Sequence, residues 1–338
     1  MKIGFIVSSF GNFFRGGAEI QIENTMNALN KISGIEINIV SKSETSLEKY
    51  DIIHFFQSNA EYCKILPYLK NKKIPFVIST IYFPNFSIIL NIILYKILSL
   101  FPEKIGNQII YFLRMKLWEN ATYLFPNTSE EERFFKKLGF SQKTKVILNG
   151  LNFKELKKNN LKNINEIFDF LEKETYILNV GRIEKRKNQK TLIKICKKNN
   201  LKLVLVGKIC DESYYKECLK EEYKNVYFLG EIKNRDILFT LYKDCKIFVL
   251  PSMLETPGIA ALEAAYYNKP IVITNRGGTK DYFKDRVFYV NPYSDIDIEN
   301  KILKALKLSK IDYSEILKDL SWENIAKEYY EIYKKVLK

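Results

Sequence analysis

The chain has 338 residues, 46% hydrophobic and 28% charged, which excludes wholesale disorder and calls for two ordinary cores rather than one. Five scattered cysteines with no C-x-x-C pair argue against a disulfide framework or a structural zinc site and for a reducing compartment, and the single histidine, His54, removes most His-based metal sites. The net charge of +15 rests on 46 Lys and only 8 Arg; lysine interspersed with acids suits solvated faces and anionic membrane surfaces, whereas phosphate and base-edge readers favour the arginine fork.

Along the chain, Ile3–Val7 reads as a buried strand, too short for the apolar core of a secretory signal and followed by no cleavage site. A glycine-bearing turn and a helix from about Ala18 to Lys31 follow. Further strands are predicted at Ile35–Val40, Ile52–Phe56, Phe76–Ser79, Tyr123–Phe125 and Lys145–Leu148. Strands alternating with amphipathic segments mean β-α-β units and a parallel sheet.

Within this half, the segment Phe86 to Trp118 contains the longest apolar stretch, Ile88 to Phe101. Ile88, Ile89, Ile92, Ile93, Leu94, Ile97 and Leu98 cover most of a helix, but Asn91 and Lys96 interrupt the run. It falls short of the roughly 20 apolar residues of a spanning helix. Two readings stand: a buried helical pair on the first domain, or a monotopic patch with Lys96, Lys104, Arg114 and Lys116 at the headgroups of an anionic membrane.

After Asn149-Gly150, a Lys/Asn-rich stretch from Lys154 to Asn165 reads as a linker, and the pattern begins afresh. Strands are predicted at Tyr176–Val180, Lys202–Val206, Val226–Leu229, Ile247–Leu250 and Ile271–Thr274, each separated from the next by a helix. The last segment, Trp322 to Leu337, is a helix with Ile325, Tyr329, Ile332 and Val336 on one face. The expected division is 1–160, 161–318 and a C-terminal helix over 319–338. Two open α/β domains joined by a linker make a cleft, and ligands in such sheets bind beyond the carboxyl ends of the strands.

The chemistry-bearing residues fall there. Past Phe248–Leu250 comes Pro251-Ser252-Met253-Leu254-Glu255-Thr256-Pro257-Gly258-Ile259. Pro257 suits the first turn of a helix, whose N–H groups around Gly258 and Ile259 would be ready for a phosphate. Glu263, about two turns in, has a carboxylate able to accept from both hydroxyls of a ribose. The plainer alternative makes Glu255 a loop acid and Glu263 a surface acid. Past Tyr176–Val180 comes Gly181-Arg182-Ile183-Glu184-Lys185-Arg186-Lys187-Asn188. Arg182 and Lys187 fall where a diphosphate would lie, as two cations that stabilise the charge growing on a departing nucleotide. A solvated basic loop accounts for Lys185 and Arg186 but poorly for Arg182.

With these residues the chain resembles, over nearly its whole length, the retaining glycosyltransferases of family 4, which have the GT-B fold. The resemblance lies in Gly181-Arg182 with Lys187, in Glu255 and Glu263 as a Glu-x7-Glu pair, and in Gly16-Gly17-Ala18-Glu19. It extends to Asp51-Ile52-Ile53-His54, Asn149-Gly150, Gly277-Gly278 and the helix opened by Trp322. It implies two Rossmann-like parallel-sheet domains facing across a cleft, with the C-terminal helix crossing back to the first. By it, Arg182 and Lys187 bind the donor pyrophosphate and share the catalytic role with Glu255, which touches the transferred sugar. The Gly258–Ile259 backbone caps the distal phosphate, Glu263 binds the ribose, and the loop at Ile232 reads the base. Arg15, Gly16 and Gly17, with His54, stand on the acceptor side.

The implied activity is retaining transfer of a hexose or hexosamine from a nucleotide-diphosphate sugar to a glycan or lipid-linked acceptor. The implied setting is cell-surface polysaccharide or lipopolysaccharide synthesis of the bacterial type, in the cytoplasm or at the inner face of its membrane. No metal or other cofactor is expected. Where many relatives carry a cleft histidine, this chain reads Thr80-Ile81-Tyr82-Phe83-Pro84; His54 either substitutes or is a structurally satisfied core residue. Asn268 stands where Gly is usual, Asp281 where Glu is frequent, and Asp295-Ile296-Asp297 spells a metal-binding D-x-D that reads instead as helix capping.

Three other classes compete. Nucleic-acid binding has only the basic charge and 22 Tyr with 23 Phe in its favour, and the aromatics alternate at core spacing. For a dinucleotide-dependent oxidoreductase, Gly11 with Gly16-Gly17 matches G-x-G-x-x-G poorly. A sugar-nucleotide epimerase or a phosphorylase would share the fold, but no pyridoxal lysine is identifiable.

Overall fold

Short apolar runs rich in Ile, Val, Phe and Tyr form strands here, and they assemble into two separate parallel sheets. The structure, a computed structural model, describes residues 1–7, 17–41, 43–82, 90, 93, 97, 110–157, 168–221 and 223–338. The chain divides into two compact units, Met1–Gly150 with Trp322–Lys338, and Leu151–Ser321.

The first unit contains β1 (Lys2–Ile6), α1 (Gly17–Leu29), β2 (Glu36–Ile39), β3 (Ile52–Phe56), α2 (Leu66–Asn71) and β4 (Phe76–Ser79). After these come α3 (Ile110–Asn120), β5 (Tyr123–Phe125) and α4 (Ser129–Lys137). Its five strands lie in the order β2-β1-β3-β4-β5, every pair parallel. All five residues of β3 are buried, because helices cover both faces of a parallel sheet. Successive side chains point to opposite faces. Ile53 and Phe55 therefore pack with Trp118, Phe134 and Phe135, and Ile52 and Phe56 with Ala28, Leu29 and the last helix.

The second unit opens with α5 (Phe153–Lys157) and β6 (Tyr176–Val180), followed by α6 (Gln189–Lys198), β7 (Lys202–Val206), α7 (Glu212–Leu219) and β8 (Val226–Gly230). The chain continues through α8 (Arg235–Asp244), β9 (Ile247–Leu250), α9 (Ile259–Tyr266), β10 (Ile271–Thr274), α10 (Thr279–Phe283), β11 (Phe288–Val290), α11 (Asp295–Ala305) and α12 (Ser314–Leu317). The sheet order is β11-β10-β9-β6-β7-β8, again all parallel. The last helix, α13 (Trp322–Val336), returns to the first unit. It buries Trp322, Ile325, Ala326, Tyr329, Ile332 and Tyr333 against Ile3, Phe5 and Val77, the face its 3–4-residue spacing predicts.

Three features differ from expectation. Lys145–Leu148 is not a strand: Lys145 and Ile147 donate to Leu124 and Pro126, but the pairing amounts to one isolated bridge at Thr144. Phe288–Val290, too short to show an alternation, is the edge strand beside β10. The second unit begins at Leu151, ahead of the Lys/Asn-rich stretch rather than inside it at residue 161, and Glu155 and Leu156 already bond Arg235 and Tyr267 within that unit.

Candidate active site

In the second sheet the strand order reverses between β6 and β9, with β7 and β8 on one side and β10 and β11 on the other. Loops leaving the carboxyl ends of two such strands diverge and leave a crevice. Both predicted motifs lie in these two loops.

After β6 a single turn at Lys185–Lys187 is closed by Asn188 in the left-handed region, at φ 60°, which asparagine tolerates better than most residues. The Asn188 amide donates to the carbonyls of Pro251 (3.3 Å) and Pro292 (3.0 Å), tying the β6 loop to those after β9 and β11. Lys187 Nζ then reaches Glu255 Oε1 at 2.5 Å. Arg186 is no solvated bystander, contrary to the sequence reading. Its guanidinium donates to Leu254 O at 2.8 Å and to Glu184 at 3.0 Å, and its carbonyl accepts from Met253 N at 2.8 Å. Arg182 shares Glu184 at 3.3 Å and keeps part of its side chain exposed.

Glu255 is held from its other side as well. Its N–H donates to Arg276 O (3.2 Å), and its carbonyl accepts from Gly278 N (2.9 Å). The approach is so close that a Cβ at Gly277, whose φ is +85°, would stand 2.3 Å from Glu255 O. Only 6% of Glu255 is exposed. Burial opposes its ionisation, but the charges of Lys187 and Arg186 outweigh it and hold the carboxyl below the usual range.

The helix beyond begins two residues later than a Pro257 at its first position would give. Gly258, at φ +77°, is the N-cap of α9, and Pro257 precedes the cap instead of entering the first turn. No side chain caps α9, and first-turn N–H groups have no intrahelical acceptor. This helix end adjoins Glu255, because a Cβ at Gly258 would lie 3.6 Å from Glu255 Oε2. Glu263 is buried in α9, with 6% exposed, and is not a surface acid. It pairs with Arg235, the first residue of α8, whose Nε also meets Glu155 Oε1 at 3.1 Å. Ile232 lies half-buried between β8 and α8. Asn268 is left-handed at φ 58°, as its substitution for glycine implies. The Asp295-Ile296-Asp297 run does not cap α11: the cap is Ser294, whose hydroxyl accepts from Asp297 N at 3.2 Å, while the Asp297 carboxylate accepts from Asn291 N at 2.8 Å in the preceding turn.

In the first unit, Arg15 and Gly16 lie outside the described residues, and Gly17 opens α1. His54 needs correction as an acceptor-side residue. It lies in the middle of β3 with no exposed surface; its Nδ1 meets Tyr333 Oη at 2.6 Å and its Nε2 meets Ser79 Oγ at 2.9 Å. Burial pushes its pKa down to about 3. It is a satisfied core histidine.

At the carboxyl end of β4 the structure places a carboxylate the sequence reading overlooked. Glu131 is buried and accepts from Thr80 Oγ1 (2.5 Å), Tyr82 N (2.7 Å) and Asn127 N (2.9 Å). It thereby fastens the turn at Ile81, a β-branched residue at φ +39°. Burial raises its pKa to about 7. Its sequence signal was Thr128-x-x-Glu131, the spacing of a capping box; Thr128 does cap α4 through Glu131 N.

Of the 86–118 stretch, residues 90, 93, 97 and 110–118 are described. Leu90, Ile93, Ile97 and Ile110 are exposed, whereas Met115, Leu117 and Trp118 are buried. Among the described residues no helix is long and apolar enough to cross a membrane.

The crevice of the second unit therefore joins cations, a buried carboxylate and a helix N-terminus, an arrangement suited to a phosphorylated ligand. Residues 161–320 match the family model described as glycosyl transferases, group 1. An uncharacterized glycosyltransferase of Methanocaldococcus jannaschii is 33% identical over 211 residues, 57% of this chain and 54% of that one. The capsular polysaccharide biosynthesis glycosyltransferase CapH of Staphylococcus aureus is 26% identical over 84% of this chain and 85% of its own. The chain spans about half the length of the first curated relatives it matches. Among solved structures, HepE of Anabaena in complex with UDP and glucose superposes with a TM-score of 0.72 at 16% identity, covering 99% of this chain and 100% of that one. This likeness establishes the GT-B type of fold, two parallel-sheet α/β units.

Proposed function

We propose that the protein is a retaining glycosyltransferase. It moves a hexose or hexosamine from a nucleoside diphosphate sugar to a hydroxyl of a glycan or lipid-linked acceptor in cell-surface polysaccharide or lipopolysaccharide synthesis. The observation that carries this reading is the meeting of Lys187 with Glu255 at the strand-order reversal, within the residues that match the group 1 domain. The UDP and glucose in the HepE structure and the capsular role in CapH's name support it.

In this reaction Arg182 and Lys187 neutralise the diphosphate as the bond from sugar C1 to phosphate oxygen breaks. The α9 N-terminus at Gly258 and Ile259 faces the distal phosphate. Glu263 takes the ribose hydroxyls, the loop at Ile232 takes the base, and Glu255 stands against the sugar. The acceptor oxygen bonds C1 on the face the phosphate leaves, and the acceptor proton passes to the departing phosphate oxygen. Protein cations supply the charge a metal would otherwise bring. Arg15, Gly16 and Gly17 stand on the acceptor side, and the enzyme works in the cytoplasm with 86–118 against an anionic membrane.

The test is thermal unfolding of wild type and Arg182→Ala with UDP, GDP and ADP, with and without magnesium. A diphosphate at 100 times its dissociation constant should stabilise the fold by about 2.7 kcal/mol, without metal and with the effect lost in the variant. No shift by any diphosphate would remove the donor site. Conversion of the donor sugar without acceptor would instead indicate an epimerase. Flotation with anionic liposomes at low salt tests the membrane contact; recovery only in the liposome-free fraction would refute it.

A further inference from the structure

Arg235 belongs to no motif of the sequence, yet its position is over-determined. It is the first residue of α8, directly after the loop expected to meet the base, and its guanidinium is held on three sides. Nη2 pairs with Glu263 Oε1, Nε pairs with Glu155 Oε1 at 3.1 Å, and the Phe239 ring lies 4.5 Å from Cζ. The planar fork of arginine holds two acceptors in a fixed mutual geometry, which the single ammonium of lysine does not. Glu263 is nearly buried, with 8% of its side chain exposed, whereas 38% of the Arg235 side chain is exposed. A carboxylate so placed needs a cation, because an uncompensated buried charge is costly. With one oxygen bound by Arg235, its remaining lone pairs have a set direction.

We propose that Arg235 is a positioning residue for recognition of the donor ribose, acting through Glu263. This rests on the reading of Glu263 as the ribose ligand. Arg235 locks the carboxylate so that it meets a vicinal diol without reorganising, and preorganisation of this kind appears directly as affinity. Glu155 and Phe239 keep Arg235 in place when the nucleotide arrives. A merely structural Arg235 would affect folding and all ligands alike, whereas a positioning Arg235 affects only ligands that carry ribose hydroxyls.

The experiment is calorimetric titration of UDP, GDP and ADP, each beside its 2′,3′-dideoxy counterpart. The proteins are wild type, Arg235→Ala, Arg235→Lys, Glu263→Gln and Arg235→Ala with Glu263→Gln. Wild type should prefer the ribonucleotide. Arg235→Ala should weaken ribonucleotide binding roughly tenfold or more, the scale of one hydrogen bond to a charged group, and leave the dideoxy compound unchanged. Lysine should restore only part of the preference, and Arg235→Ala should add nothing once Glu263 is Gln. If the ribose preference survives in Arg235→Ala, or both compounds weaken equally, the proposal is overturned. The Lys variant decides the same question should the Ala variant fail to fold. If wild type binds no diphosphate, the donor-site reading itself has failed; if wild type binds both forms equally, only the role of Glu263, and with it that of Arg235, has failed.

Discussion

Lys187 and Glu255, 68 positions apart in the chain, meet at 2.5 Å between Nζ and Oε1. Each lies in the first loop beyond a strand, and the two strands, β6 and β9, are neighbours only because the sheet order reverses between them. With 12% and 7% of their side chains exposed, the partners are largely removed from water. Breaking such a pair from one side is costly, because the other charge stays buried.

Replacing Lys187 with Met keeps the bulk and removes the charge, leaving Arg186 as the nearby cation for Glu255 among the described residues. Urea unfolding at pH 7 should show a loss of about 3–5 kcal/mol. Glu255 has a depressed pKa, so its contribution is complete above the ordinary value of 4.5 and is lost as pH falls through the lower folded value. The gap between wild type and variant should therefore narrow on acidification. On the proposed transfer reaction, loss of this cation should reduce kcat by roughly 10²–10³-fold.

Gly277→Ala should move the Glu255 loop. The alanine methyl would meet Glu255 O at 2.3 Å from a backbone at φ +85°, so about 1–3 kcal/mol of local strain is expected. Gly278, at φ −88°, offers the control, and Gly278→Ala should be far milder. Equal melting points for the two variants would contradict the close approach.

Glu131 should give the protein an alkaline liability. Its folded pKa of about 7 lies above the ordinary 4.5, so the native state binds the proton more tightly than the unfolded chain. Stability from this group is complete below pH 4.5 and is lost as pH rises to about 7. The total is about 3 kcal/mol. Glu131→Gln should flatten that slope in urea titrations between pH 4.5 and 8, at the cost of turning an amide toward Asn127 N–H. An unchanged slope would place the titration elsewhere.

His54 provides the opposite slope and a direct readout. Its pKa is depressed from 6.5 to about 3, so stability is lost as pH falls from 6.5 toward 3, where the unfolded ring charges and the folded one does not. The chain has one histidine, so its ring resonances are assigned without ambiguity. They should stay constant from pH 8 to pH 4 in the folded protein; a midpoint near 6.5 would show that the ring reaches water.

Much of the architecture was legible from local pattern alone. Runs such as Ile52–Phe56 and Ile271–Thr274 alternate with amphipathic segments, and a buried parallel strand has no other common sequence form. The α13 face could be read because helical spacing repeats over 15 residues. Phe288–Val290 could not, since three residues carry no period, and Lys145–Leu148 looked like a strand because propensity is local whereas pairing needs a neighbour in register.

The site divides in the same way. Arg182, Lys187 and Glu255 could be singled out because each lies in the loop past a buried strand, and Glu263 because it stands about two turns into the helix that follows that loop. The two parallel sheets and the loops that carry the chemistry are thus written in local pattern. Which side chains meet is set by the folded chain: Lys187 with Glu255, Arg235 with Glu263 and Glu155, and Glu131 with the turn at Ile81. It also puts His54 in the core, between Tyr333 and Ser79. Periodicity reports which face a residue occupies, but partnership depends on strand order and on which helices cover a sheet, and contacts between residues tens to hundreds of positions apart leave no local trace.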